Sequence, residues 1–281
     1  MSSSGTAAGL GLVAAATWGG SDFVGGLGSR RAPALLVVCS GHFVSFLILL
    51  ALCLGIRPAL PGAHPFIYAA LGGFEGSLAL AVFYRALAMG PMGLTAALTG
   101  LLTALVPVLF ALAHDGFPAP LTAVGLGLGC LAIWLITHTP AAKGAAAPPL
   151  ALLLGALSGI GFGTQLILFK MAGQGGILWA MTTARAAGVA AMFLVLLVSP
   201  PKGAWRGFWL TGISAGMLDT CGNMIYFRAT QQGRLDVTAV VCSLYPAGTI
   251  LLAALVLREW PTRRQVAGIA VALAAVMLLS R

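Results

Sequence analysis

Apolar residues fill ten long blocks of the chain, and most polar residues fall between them. The blocks run over roughly 7–27, 33–55, 66–89, 92–113, 119–139, 150–171, 176–199, 206–230, 235–257 and 263–280. Each is close to the ~20 residues a helix needs to cross hydrocarbon. Apolar side chains follow one another without the alternation of a barrel strand, so the pattern predicts ten transmembrane helices. The expected class is an all-α membrane protein. The breaks carry turn residues or charge: Arg30-Arg31-Ala32-Pro33, Arg57-Pro58 through Pro65, Gly90-Pro91, Asp115 through Pro120, and Pro200-Pro201-Lys202.

The punctuation occurs twice. An offset of 143 residues lays Arg85 on Arg228, Ala86 on Ala229, Gly90 on Gly233, Thr95 on Thr238 and Ala96 on Ala239. The same register joins Gly20 to Gly163, Gly73 to Gly216, Pro118 to Pro261 and Gly125 to Gly268. Shared apolar composition does not produce a register held over most of a chain. The expected organisation is a first five-helix repeat over 1–140, a linker over 141–149 and a second repeat over 150–281. Five is odd, so the second repeat enters the bilayer inverted, giving a 5+5 inverted repeat. Such repeats place substrate sites near the midplane between the halves.

Composition sharpens the class. The 281 residues are 59% hydrophobic and 7% charged, against about 25% charged in soluble domains. The ten segments use up the length. The net charge of +9 would suggest nucleic acid in a soluble protein, but here basic residues stand singly at helix ends, as lipid contacts and topology signals do. No nucleic-acid partner is expected; the partners are the lipid bilayer and a small-molecule substrate. With the N-terminus inside, Arg57, Lys170, Arg228, Arg234 and Arg281 fall inside. Arg30, Arg31, Arg85, Lys143, Lys202, Arg206, Arg258, Arg263 and Arg264 then fall outside, against the positive-inside tendency. The five cysteines lie in apolar segments without a C-x-x-C pair and read as packing residues.

Ionisable groups deep in spanning segments cost about 2.5–3.5 kcal/mol each and mark function. His42, Glu75, Arg185 and Asp219 meet that description. Asp219, Asn223 and Tyr226, at i, i+4 and i+7, share one helical face. Two basic and two acidic groups around one axis suit a zwitterion. The structural alternative pairs them with each other, His42 with Glu75 and Arg185 with Asp219. Trp18, Tyr84, Trp179, Tyr226 and Tyr245 can line a cavity or pack helices, whereas Trp205, Trp209 and Trp260 fit membrane edges. The candidate substrate-binding set is Trp18, His42, Glu75, Arg185, Asp219, Asn223, Tyr226 and Tyr245, with Asp22 and its repeat partner Gln165 as weaker members. Burial brings carboxyl and imidazole groups toward titration near neutrality, so His42, Glu75 and Asp219 are candidates for a coupling proton; facilitated flux fits equally. Thr95, Thr99 and Thr103 form a hydroxyl stripe that packs or lines a pore, and four-residue glycine spacings read as helix-packing seams. Pro107 and Pro246, inside their segments, are candidate hinges. No G-x-S-x-G, H-E-x-x-H, phosphate loop or acidic metal cluster occurs, so no enzyme, cofactor or metal is expected.

Trp18-Gly19, the Tyr-Arg-Ala and Phe-Arg-Ala ending the third and eighth segments, and Glu259-Trp260-Pro261 before the tenth resemble the EamA-type branch of the drug/metabolite transporter superfamily. The ten-segment double layout does too. The resemblance implies a bacterial inner-membrane exporter of amino acids or other small metabolites, with cytoplasmic termini. His42 departs from the pattern, standing where arginine is common, and the Trp18 position holds Gly161 in the second repeat. The expected function is secondary export of small metabolites, aromatic or hydrophobic amino acids first, by alternating access. Cationic drugs, phosphorylated metabolites and a scaffold without flux are the alternatives, and a monomer suffices for the architecture.

Overall fold

A computed structural model describes residues 3–89, 92–137, 148–201, 207–257, 260 and 262–279. Most of the expected linker 141–149, together with Trp205, Arg258, Glu259 and Pro261, lies outside the described residues. The helices are α1 (Ser3–Ser29), α2 (Ala34–Ile56), α3 (Ala63–Ala88), α4 (Met92–Asp115), α5 (Pro120–Thr137), α6 (Pro149–Ala172), α7 (Ile177–Val198), α8 (Phe208–Thr230), α9 (Leu235–Cys242), α10 (Tyr245–Leu257) and α11 (Arg263–Leu279). No strand occurs among the described residues.

Six stretches are long and apolar enough to cross a membrane: α2, α3, α4, α6, α7 and the continuous Leu235–Leu257 of α9 and α10. Helices α5 and α11 are apolar but shorter, at 18 and 17 residues. Helices α1 and α8 have 27 and 23 residues, yet Ser21, Asp22, Asp219, Thr220 and Asn223 dilute their apolar character. These two pack against each other inside the bundle, where protein rather than lipid meets their polar faces. Outward-facing leucine, isoleucine, phenylalanine and valine cover the periphery, among them Leu54, Leu71, Leu157, Leu197 and Leu251. Small and hydroxylated residues fill the interior. This is the distribution of a multi-pass membrane protein, whose solvent is hydrocarbon.

Glycines set the crossings, because no hydrophobic force drives helices together in lipid and close approach must supply the attraction. Along the α1–α8 contact, Gly28 faces Thr211 and Trp18 faces Gly222, so the helices are antiparallel. Helices α3 and α6 are also antiparallel: Gly72 meets Phe169, Gly76 meets Gln165 and Gly161 meets Ala79. Helix α4 runs parallel to α6, with Gly155 against Thr99 and Gly163 against Val106. The α9–α10 stretch runs parallel to α1, with Gly11 against Val241 and Gly19 against Tyr245 and Thr249.

These contacts come in matched pairs. A Cβ on Gly41 would meet Gly216 of α8 at 2.8 Å, and one on Gly73 would collide with the Ala184 backbone of α7. Shifted by the sequence offset, the pair Gly41 and Gly216 becomes Ala184 and Gly73. Likewise Trp18 and Gly222 become Gly161 and Ala79.

The ninth expected segment departs from the sequence pattern. It breaks at Ser243 and Leu244, where Leu244 N–H donates to Val241 O at 3.2 Å and Ala247 N–H to Leu244 O at 2.9 Å. Pro246 is therefore not inside a helix. It is the second residue of α10, where its missing N–H is no loss. Pro107 does lie inside α4, as expected.

Candidate functional site

Arg185 organises the centre of the bundle. Helix α7 brings it to α2 and α8, where it is 3% exposed. Its Nε donates to Thr220 Oγ1 at 3.0 Å, Nη1 meets His42 Nε2 at 2.7 Å, and Nη2 donates to Asp219 Oδ2 at 2.5 Å. Asp219 Oδ1 accepts from Asn223 Nδ2 at 3.1 Å, one turn along α8. One guanidinium thus ties together three helices, and the Asp219 carboxylate is held at both oxygens.

Donor counting assigns the His42 proton. A guanidinium only donates, so His42 Nε2 accepts from Arg185. Ser77 Oγ gives its own hydrogen to Gly73 O at 2.6 Å and stands 3.0 Å from His42 Nδ1. The Nδ1–H therefore donates to Ser77, and the ring is neutral with its proton on Nδ1. The structural alternative is realised in part: Arg185 pairs with Asp219, but His42 pairs with Arg185 and Ser77 rather than with Glu75.

Beside this network lies a cavity with about 480 Å³ of empty space, counting the part open to solvent. Trp18, His42, Arg185, Asp219, Asn223 and Tyr245, all expected from the sequence, line it. The two weaker candidates, Asp22 and Gln165, line it as well. Two expected members do not. Tyr226 is fully buried behind the wall, donating to Leu166 O at 2.8 Å with its ring 5.8 Å from that of Trp18. Glu75 turns toward α6, its Oε1 3.3 Å from where a Gly161 Cβ would stand and its Oε2 buried without a hydrogen bond. The reason is the helical screw. Gly76 faces the cavity, and its neighbour Glu75 points about 100° away.

The cavity has two unlike walls. On the Arg185 side each guanidinium nitrogen already has a partner. On the other side Asp22, 5% exposed, takes no hydrogen bond or ion pair from the described residues. Trp18 Nε1 and the Tyr245 hydroxyl are buried and unpartnered there. Aromatic faces of Trp18, Phe162 and Tyr245 complete the lining with Leu80 and Leu166. Sequence reasoning had no signal for Phe162 or for Ser77, since an isolated phenylalanine or serine in an apolar run announces nothing.

The remaining candidates serve packing. Tyr84 shares a hydrogen bond with Ser21 at 2.9 Å, and Trp179 Nε1 donates to Pro58 O at 3.1 Å at the bundle edge. Trp209 and Trp260 are exposed at helix ends, the latter at 76%. Thr99 and Thr103 bond back to their own helix, Thr99 also to Gly155 O, and of the three-threonine stripe Thr103 reaches the cavity.

A bundle of membrane-spanning helices around a partly ionic, aromatic cavity defines a multi-pass membrane protein with a central pocket. Residues 149–281 match the model of the EamA-like transporter family. The whole chain also shares its fold with a solved crystal structure, at a TM-score of 0.76 and 18% identity, covering 99% of this chain and 96% of that one. No curated protein matches the chain in sequence. The family match covers residues 149–281 alone, and the structural match shows the fold.

Proposed function

We propose that the protein is a secondary transporter exporting small amine-bearing metabolites, aromatic and hydrophobic amino acids first, across the bacterial inner membrane by alternating access. One observation carries this reading: the cavity joins an unpartnered carboxyl, Asp22, to a guanidinium, Arg185, between aromatic faces. A zwitterion presents an ammonium for the first and a carboxylate that can exchange with Asp219 at the second. Its side chain lies against Trp18, Phe162 and Tyr245. The inverted 5+5 repeat is part of this reading. Supporting it are the antiparallel α1–α8 and α3–α6 contacts, and the matched pairs Gly41–Gly216 and Gly73–Ala184. Cytoplasmic termini and export follow from the family likeness in the sequence.

Cationic amines without a carboxylate are the second reading. The engagement of all three Arg185 nitrogens by Thr220, His42 and Asp219 favours it, since only two of the five N–H donors of that group are left for a solute anion. The test is counterflow in proteoliposomes loaded with labelled amino acids and with amines of the same side chains. Exchange of amino acids that exceeds exchange of their amines supports the first reading. Absence of exchange for every solute in both sets overturns transport in favour of a scaffold.

A further inference from the structure

Two side-chain amides line the cavity, and their hydrogen bonds fix which way each one points. Gln165 on α6 donates from Nε2 to Gly72 O at 3.1 Å, and Asn223 on α8 donates from Nδ2 to Asp219 Oδ1 at 3.1 Å. A backbone carbonyl and the carboxylate paired with Arg185 only accept. The anchored atom of each amide is therefore its nitrogen, and the flipped assignment is excluded. That leaves Gln165 Oε1 and Asn223 Oδ1. Neither oxygen takes a hydrogen bond from the described residues, and neither is sealed in the packing. Asp22 on α1 adds a carboxyl that is likewise without a donor. Each amide keeps one further N–H, and Arg185 keeps two. Three helices thus bring open acceptors to one space.

We propose that Gln165 and Asn223 read the hydrogens on the solute's nitrogen, so that the cavity selects a primary ammonium over methylated and quaternary ones. This rests on the reading of the cavity as a site for amine-bearing solutes. A primary ammonium carries three N–H donors pointing away from one nitrogen. Gln165 Oε1, Asn223 Oδ1 and the Asp22 carboxyl offer one acceptor to each. Every methyl added to the nitrogen removes a donor and sets an apolar group against an acceptor. Charge alone does not discriminate, and the aromatic faces of Trp18, Phe162 and Tyr245 attract a quaternary ammonium as readily as a primary one. The amides do discriminate. A site built to pair with a solute N–H rejects the analogue that lacks it, because the site's own polar groups are then stranded. Gln165 and Asn223 are in this sense specificity residues, and Asp22 supplies the charge.

The experiment uses full-length protein in detergent and four labelled probes: phenethylamine and its N-methyl, N,N-dimethyl and N,N,N-trimethyl derivatives, all cationic at neutral pH. Wild type is expected to bind phenethylamine about tenfold or more tightly than the trimethyl probe, with the loss spread over the methylation steps. A smaller ratio, or tighter binding of the trimethyl probe, overturns the proposal in favour of an aromatic cage. That measurement needs no variant to fold. Gln165→Met keeps the length of the side chain and removes its carbonyl. It should weaken phenethylamine several-fold, leave the trimethyl probe within about twofold of wild type, and so shrink the ratio. Asn223→Leu should shrink it in the same way. If both variants weaken all four probes equally, as residues with a purely structural role would, the proposal fails. Binding of none of the four overturns it as well. Selective binding of phenethylamine without counterflow of any amine would sink the carrier reading and leave the amide assignment standing. Counterflow of primary and quaternary amines at equal rates and affinities would do the reverse.

Discussion

Arg185 and His42 occupy the same position in the two halves of the chain, 143 residues apart, and they touch, Nη1 to Nε2 at 2.7 Å. The contact joins α7 to α2 in the interior of the bundle, where both residues are buried. Arg185 supplies a permanent cation and His42 a neutral acceptor for it. A second arginine at 42 would set two cations against each other inside the membrane.

That contact predicts the behaviour of His42. Gln fits both roles, its carbonyl oxygen accepting from Arg185 and its amide donating to Ser77. His42→Gln should therefore change stability by no more than about 1 kcal/mol and leave the pH dependence of amine binding as in wild type. His42→Arg should reduce the yield of folded protein. A pH profile that shifts in His42→Gln would show that the ring does titrate.

Arg185 is predicted to matter for folding before it matters for any solute. Arg185→Ala strands the Asp219 carboxylate, at a cost of about 3–5 kcal/mol for breaking a buried pair. The unfolding midpoint in detergent should drop accordingly, and Arg185→Leu combined with Asp219→Leu should recover most of the loss. A single Arg185→Ala that melts like wild type would mean the pair does not hold α7 to α8.

The close crossings make opposite predictions for different glycines. Gly73→Ala and Gly216→Ala drive a methyl into the facing backbone, where overpacking costs about 1–3 kcal/mol or more. Gly9 and Gly127 meet nothing within 4 Å, so Ala there should be tolerated. Size-exclusion yield of the four variants, compared side by side, checks the contrast. Equal yields would contradict the crossings.

Pro246 starts α10 after the break at Ser243 and Leu244. Pro246→Ala restores an N–H that can reach Cys242 O and run α9 into α10. Pro107→Ala restores the N–H that proline lacks inside α4. Counterflow should slow several-fold in each, while probe binding stays within about twofold. Unchanged counterflow in both variants would remove the hinges from the mechanism.

The sequence by itself determined the all-helical membrane character and the identity of the deep ionisable residues. Hydrocarbon enforces that information along the helix axis: about twenty apolar residues span it, and each charge inside it stands out. Tertiary structure decided what lies around each axis. These helices are apolar on nearly every side, because lipid and protein interior reward the same residues, so the pattern does not say which face turns inward. Glu75 and Gly76 are neighbours with equal claims by depth, and the tight fit of Gly76 against Gln165 sends Glu75 out of the cavity. The same fit places Gln165 at the cavity, and α1 brings Asp22 to it. The commitment of Arg185 to Asp219 likewise joins residues 34 apart in the chain, which only folding brings together.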